Sequence, residues 1–422
     1  MAPHPPPPAA PAQSAARASE PEGTSFPPGT RPRTLKLVFS FDCRHHCGYC
    51  ALVHARGHDR QRRQRLDPVQ AEARILEASA RFPFDALEIG AGETFLHPEL
   101  YEWLVDFNHR HLHLPLTLFG SLVADNAPDV FRILSRSRHP VFMLISYDGR
   151  RSLRNRHNWP QVEANYRRMR DFFRDYPQVS SKISACVDPA DALHLRENFH
   201  SIAALDPERA NFNFRPLKRL FSTTQRRILL RQYRDFLADA RRQGIAFVRL
   251  PENSGPIEYP LKPDWRCEDF SLSLLPDGRW TDCYVTHYCA DFPPERTRAT
   301  FDPPAGGFPV DTPADAERCR PCLDSYFFCN QCLAGLADFR RASGRGFYDR
   351  SFCTMVNGLA LLTMDHILRL RPGNRIVVRR QGFGGTRIRR EDDLLEIRPP
   401  RGEPFRIDPA RIEQDPMAFL PA

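Results

Sequence analysis

Cys43, Cys47 and Cys50 form a Cys-x3-Cys-x2-Cys run that directly follows the apolar stretch Leu35 to Phe41. Three thiolates this close on one loop can each ligate one iron of a cubane cluster. The fourth iron is then left without a protein ligand and free to do chemistry. An electron-carrying 4Fe–4S site normally uses four cysteines, and a structural zinc site also closes with four. A triplet with no nearby fourth thiol therefore argues against both. A plain redox or zinc-binding loop is the competing reading.

Eight more cysteines crowd the second half: Cys267, Cys283, Cys289, Cys319, Cys322, Cys329, Cys332 and Cys353. Twelve cysteines in 422 residues are too few and too clustered for a disulfide scaffold, and clustered thiols in a reducing compartment usually mean metal. Taken alone, Cys319-x2-Cys322 and Cys329-x2-Cys332 suit a zinc ribbon, but that leaves Cys267, Cys283 and Cys353 unexplained. Cys186 stands apart in an apolar run and reads as a small core residue, or else as a hydrogen-atom donor.

These thiols need a scaffold. From Thr34 onward, short apolar or β-branched runs alternate with amphipathic stretches of helical length, the pattern of successive βα units around a parallel sheet. Strands are expected at Thr34–Ser40, Asp85–Gly90, Leu116–Ser121, Val141–Tyr147, Lys182–Val187 and Asn211–Arg215. Helices are expected at Asp67–Arg81, Pro98–His111, Asp125–Ser137, Pro160–Tyr176, Ala192–Ala204 and Thr223–Gln243, the first fixed by Asp67 as N-cap with Pro68 behind it. Six such units make an α/β fold, a partial (β/α)6 barrel. The cysteine triplet then sits just past the first strand, at the carboxyl rim where parallel sheets place their ligands.

The triplet and the other rim loops resemble the signature of the radical S-adenosylmethionine (SAM) enzymes. Gly90-Ala91-Gly92-Glu93 follows the second strand and is similar to that family's Gly-Gly-Glu motif, with Ala91 for the first glycine and Thr94 for the usual proline; Phe95-Leu96-His97-Pro98-Glu99-Leu100 continues it closely. Phe119-Gly120-Ser121 stands where relatives carry Thr-Asn-Gly. Ser146-Tyr147-Asp148-Gly149 is close to Ser-x-Asp-Gly, with Arg154 or Arg156 as the arginine that often follows. By this resemblance, Cys43, Cys47 and Cys50 hold a 4Fe–4S cluster whose open iron is chelated by SAM, and an electron from the cluster cleaves the sulfonium to a 5′-deoxyadenosyl radical. Tyr49, Gly92, Glu93, Ser121, Ser146, Asp148 and Arg154 would contact the cofactor.

The later cysteines resemble the seven-cysteine SPASM domain of radical SAM peptide-modifying enzymes. Pro276-Asp277-Gly278 makes the turn of a hairpin between Ser271–Leu275 and Arg279–Cys283. Two auxiliary 4Fe–4S clusters are implied: Cys267, Cys283 and Cys332 hold one, with Cys289 the substitute for its missing fourth ligand or an open iron left there. Cys319, Cys322, Cys329 and Cys353 hold the other. The spacing between Cys322, Cys329 and Cys332 is shifted by one residue from relatives. A catalytic Asp that sulfatase-maturing members carry after the position of Cys283 is Tyr284 here.

The expected domains are a disordered Pro/Ala-rich tail over 1–33, the barrel over 34–250, the SPASM domain over 251–355, and a C-terminal helix with a small β-rich appendix over 356–422. The helix is expected near Met355–Leu370, and short strands at Arg375–Arg380, Thr386–Arg390 and Leu394–Arg398. Net charge is +9, but all except four of the 60 basic residues are arginines scattered along the chain, which gives no nucleic-acid surface. No signal peptide or run of about 18 apolar residues is seen, so a cytoplasmic protein with no membrane segment is expected. The resemblance implies oxidative modification of a ribosomally made precursor peptide: a crosslink, a thioether or a dehydrogenation. A flavodoxin- or ferredoxin-type donor would supply the electron. No precursor-recognition domain is evident, so a separate recognition protein or the appendix would bind the peptide. Small-molecule chemistry on an aminoglycoside or nucleoside sugar is the alternative, and a non-catalytic iron–sulfur or zinc module a second one.

Overall fold

Alternating burial along short strands builds one sheet. In the computed structural model, which describes residues 33–45, 47, 64–186, 188–207, 210–213, 222–246, 256–260, 271–281, 350–379, 385–398 and 403–412, six strands pair in chain order and all in parallel. They are β1 (Thr34–Leu37), β2 (Ala86–Ile89), β3 (Leu116–Gly120), β4 (Val141–Ser146), β5 (Val179–Cys186) and β6 (Ala210–Asn213). Parallel neighbours need crossovers, and helices supply them: α1 (Pro68–Arg81), α2 (Pro98–Phe107), α3 (Ala127–Leu134), α4 (Trp159–Phe172) and α5 (Leu195–Leu205), with α6 (Thr223–Arg242) following β6. Leu35, Leu37, Leu87, Ile89, Leu116, Leu118, Val141, Met143, Ile145, Ile183 and Ala185 are buried at every second position, so one sheet face carries the core while the other is half-buried.

Helix starts follow the sequence. Asp67 accepts from Val69 N–H and Gln70 N–H at 2.9 and 3.3 Å, and Ser222 with Gln225 forms a capping box on α6. Ends differ where a side chain captures the backbone. The α2 helix stops at Phe107 and widens to a π-type turn over Asn108–Leu112, because the Asn108 amide exchanges two hydrogen bonds with the Leu114 backbone, at 2.8 and 3.0 Å. The segment expected to open α5 at Ala192 is a 3-10 turn over Pro189–His194 under an Asp188 cap.

Two further strands extend the sheet. β7 (Ile257–Pro260) belongs elsewhere, but β8 (Ser271–Leu274) runs parallel to β1, placing Thr34 opposite both Ala86 and Ser271. β9 (Trp280–Thr281) folds back antiparallel on β8 through the expected Asp277-Gly278 turn. The described part of this hairpin is thus fastened to the barrel edge beside the cysteine loop. At the C-terminal end, α7 (Arg350–Leu370) precedes β10 (Arg375–Arg379), β11 (Gly385–Glu391), β12 (Leu394–Arg398) and β13 (Phe405–Ile407). These strands meander antiparallel, and β7 adds in parallel to β10. The appendix therefore has two strands more than the three expected; Ile257 and Ile407 are its buried anchors there. It leans on the barrel through α7 against α6, where Tyr233 Oη and Thr363 Oγ1 stand 2.8 Å apart. Among the described residues no helix is long and apolar enough to cross a membrane.

Candidate functional site

The chain leaves β1 along the carboxyl rim of the sheet, and three tethers hold it there. Val38 N–H donates to Leu274 O at 3.0 Å, Ser40 Oγ and buried His97 Nε2 lie 2.7 Å apart, and Glu93 N–H donates to Asp42 O at 2.7 Å. His97 thus explains why the Phe95-Leu96-His97-Pro98 run matters: it pins the root of the cysteine loop. Cys43 is half-buried and Cys47 buried. Burial, and after it the charge of Glu93, pushes the Cys43 thiol up to about 12. A thiol so placed is a weak nucleophile, and ionises only when a metal takes the thiolate.

Glu93 lies at the floor of this rim, fully buried. Ser121 donates to its Oε2 twice, from N–H at 3.0 Å and from the hydroxyl. With its single proton so used, Ser121 Oγ accepts from His45 Nε2 at 2.7 Å, which leaves His45 Nδ1 to accept from Asn158 Nδ2 at 3.4 Å. Asn158 Oδ1 in turn accepts from Asn155 Nδ2 at 3.2 Å, and Asn155 Oδ1 accepts from Asp148 N–H at 2.9 Å. Every side-chain donor along this relay points toward Glu93, which is the polarity a carboxylate at its end requires. The other oxygen, Oε1, is buried and among the described residues has no hydrogen-bond partner. Burial raises the Glu93 pKa above its usual range, so the empty oxygen is the costly one.

Gly92 and Ala91 both have positive φ, 60° and 68°. At Gly92 a Cβ would stand 2.6 Å from Asp42 O and 2.7 Å from Ser40 O, so the backbone of the glutamate loop lies directly against the cysteine loop. Ala91, where a glycine was the expectation by resemblance, keeps the left-handed backbone that glycine would favour.

The loop after β4 completes the rim. Asp148 is buried; its Oδ1 accepts from Arg154 Nη1 at 3.1 Å and from Cys186 N–H at 2.7 Å. Arg154 Nε donates to Cys47 Sγ at 3.2 Å, so Arg154 rather than Arg156 reaches the cysteines; Arg156 turns to His157. Gly149 (φ 99°) packs on α5, where a Cβ would meet Asn198 Cβ at 2.5 Å. Ser146 ends β4, half-buried and in register with Ser184. Asp191 accepts from Leu153 N–H at 3.0 Å beneath this loop. Burial, then the charges of Asp148 and Asp188, push Asp191 up to about 7. In that window the folded chain holds a proton that the unfolded chain, titrating near 4, has lost, so stability falls as pH rises from about 4 through about 7. Asp191→Asn should remove that fall, adding about 2–4 kcal/mol in urea melts at pH 8 and almost nothing at pH 3.5. Equal gains at both pH values would refute the assignment.

Seven expected site residues therefore come together on one rim: Cys43, Cys47, Gly92, Glu93, Ser121, Asp148 and Arg154. Cys50, Tyr49, Cys267, Cys283, Cys289, Cys319, Cys322, Cys329 and Cys332 lie outside the described residues, and Cys353 falls within α7. His45, Asn155 and Asn158 were missed from sequence. The signal available for His45 was its place between two metal-type cysteines; nothing local marked the two asparagines. Two thiols and a buried carboxylate oxygen thus lie together on this rim.

No protein-family model and no curated protein sequence matches the chain. Among solved structures it is similar to native anSMEcpe with bound AdoMet, at 17% identity over 60% of this chain and 74% of that one, TM-score 0.41. A hexahistidine-tagged anSMEcpe with bound AdoMet aligns at 14% identity over 79% and 99%, TM-score 0.46. SuiB of Streptococcus suis bound to its precursor peptide SuiA aligns at 11% over 72% and 70%, TM-score 0.45.

Proposed function

We propose that this chain is a radical SAM enzyme that reductively cleaves SAM and oxidatively modifies a ribosomally made peptide. The observation that carries the reading is the buried Oε1 of Glu93, without a partner among the described residues, beside Cys43 past the end of a parallel strand. Cys43, Cys47 and Cys50 would hold a 4Fe–4S cluster, which when bound would supply the electron for reductive cleavage of SAM. Glu93 Oε1, held in place by Ser121 and His45, would accept from the SAM amino group. Gly92 lets the glutamate loop lie directly against the cysteine loop. Arg154 neutralises Cys47 thiolate and Asp148 together, and the relay through Asn155 and Asn158 keeps the two rim loops in register. Ser146 and Tyr49 would line the nucleoside.

The later cysteines are proposed to hold two auxiliary clusters, Cys267, Cys283, Cys332 and Cys289 on one and Cys319, Cys322, Cys329 and Cys353 on the other, offering a path for the second electron of an oxidation. The domain limits near 33, 250 and 355, a cytoplasmic location and a flavodoxin- or ferredoxin-type donor belong to the same reading. Anaerobic reconstitution tests it: about twelve irons per chain fit three cubanes, and about four reject the auxiliary pair. Absence of 5′-deoxyadenosine from SAM and dithionite would reject the whole.

Glu93→Gln gives a sharper check, because two measurements should move in opposite senses. Losing the charge-assisted bond should weaken SAM binding to the reconstituted protein by about 10- to 100-fold. The same change removes a buried, half-satisfied charge from the SAM-free chain, so its melting temperature should rise. Unchanged SAM affinity would disprove the role of Glu93.

A further inference from the structure

The C-terminal ends of α6 and α7 meet the turn between β11 and β12, and a cavity of about 410 Å³ opens among them. Leu368 and Pro372 give it an apolar wall; Arg241, Arg369, Arg390 and Asp392 give it a charged one. Arg369 Nε donates to one oxygen of Asp365 at 2.7 Å, and Arg390 Nη1 donates to the other. Arg390 Nη2 also reaches Asp393 at 2.7 Å, but that carboxylate is almost wholly exposed and its pairing is screened by solvent. Arg242, the next cation along α6, is committed to Asp239.

Arg241 is different. It lines the cavity, and its side chain makes no hydrogen bond or ion pair among the described residues. Burial, then the nearby Arg369, push its pKa down against the pull of Asp365, with smaller pushes from Arg390 and Arg242. Arg369 and Arg390 share the buried Asp365, whereas Arg241 is the one guanidinium lining the cavity that no carboxylate of the described residues pairs with. A single carboxylate has the geometry to pair with that guanidinium.

We propose that this cavity binds one carboxylate, the side chain of an acidic peptide residue, with Arg241 as the free fork and Leu368 and Pro372 against its methylenes. The choice of a peptide as its source rests on the peptide substrate proposed above. Carboxylate binding does not, and its test needs neither cluster nor SAM, so either can fail alone.

Fluorescence anisotropy on the full chain would use a labelled acetyl-Gly-Leu-Glu-Leu-Gly amide and its Gln twin. The Glu peptide should bind about tenfold or more tightly than the Gln twin, and less tightly as salt rises. Arg241→Gln should erase that preference with the melting temperature kept, whereas Arg371→Gln, outside the cavity, should leave it. Equal binding of the two peptides, or an unchanged preference in Arg241→Gln, overturns the proposal. So does displacement by inorganic phosphate or acetate at concentrations no higher than the peptide's, which would mark a general anion patch instead.

Discussion

Cys47→Ala is expected to abolish 5′-deoxyadenosine formation from SAM and dithionite, down to the level seen without protein, and to lower iron content by about four per chain. Cys47 is buried on the rim with its sulfur 3.2 Å from Arg154 Nε. A cubane left with two thiolates loses the geometry that keeps only one iron open. The fold should survive. Cys47 is one small side chain in a segment held by Ser40 to His97, Glu93 to Asp42 and Val38 to Leu274, and Arg154 retains Asp148 as a partner. The SAM-free variant is therefore expected to melt within a few degrees of the parent, the cost of a small buried group being about 1 kcal/mol. Cofactor cleavage that persists in Cys47→Ala would dismiss the open-iron reading, and zinc bound in place of iron would dismiss it equally.

Much of this site was legible because its parts are strand-end motifs. The period-two burial of Leu35, Leu37, Leu87, Ile89, Leu116 and Leu118 is written in the sequence, and it fixes which end of each strand carries a loop. Once strand order follows chain order, Cys43, Glu93, Ser121 and Asp148 must share a rim. What stayed hidden depends on contacts between loops distant in sequence. His45 finds Ser121 across 76 positions and Asn158 across 113, and neither partner has a spacing that reveals it. The strand β7 was missed for a related reason: four residues that pair with β10 more than a hundred positions later carry no local pattern beyond one buried isoleucine. Helix ends at Phe107 and Leu195 shifted because Asn108 and Asp188 seize backbone groups that a periodic reading assigns to the helix.

Gly92→Ala should damage both stability and cofactor binding, and for one cause. The methyl would enter at φ 60°, a conformation costing an alanine about 1 kcal/mol more than a glycine. Ala91 already bears such a cost at φ 68°, so the backbone alone does not forbid the change. Space does. The new Cβ would meet Asp42 O at 2.6 Å and Ser40 O at 2.7 Å, and both are main-chain atoms that no rotamer change can withdraw. The cysteine loop would have to retreat by several tenths of an ångström, stretching the Glu93 N–H bond to Asp42 O, which is 2.7 Å in the parent. Backbone cost and overpacking together amount to about 2–4 kcal/mol, read as a lower midpoint in urea. Glu93 and Cys43 would move apart by the same retreat, and displacement on the scale of 1 Å between groups that must act on one ligand can cost about 100-fold in rate. SAM cleavage should therefore fall by about that factor even at temperatures where the variant is folded. Loss of stability with full cleavage would show that Gly92 serves packing only; retention of both would show that the two loops are not in contact in solution.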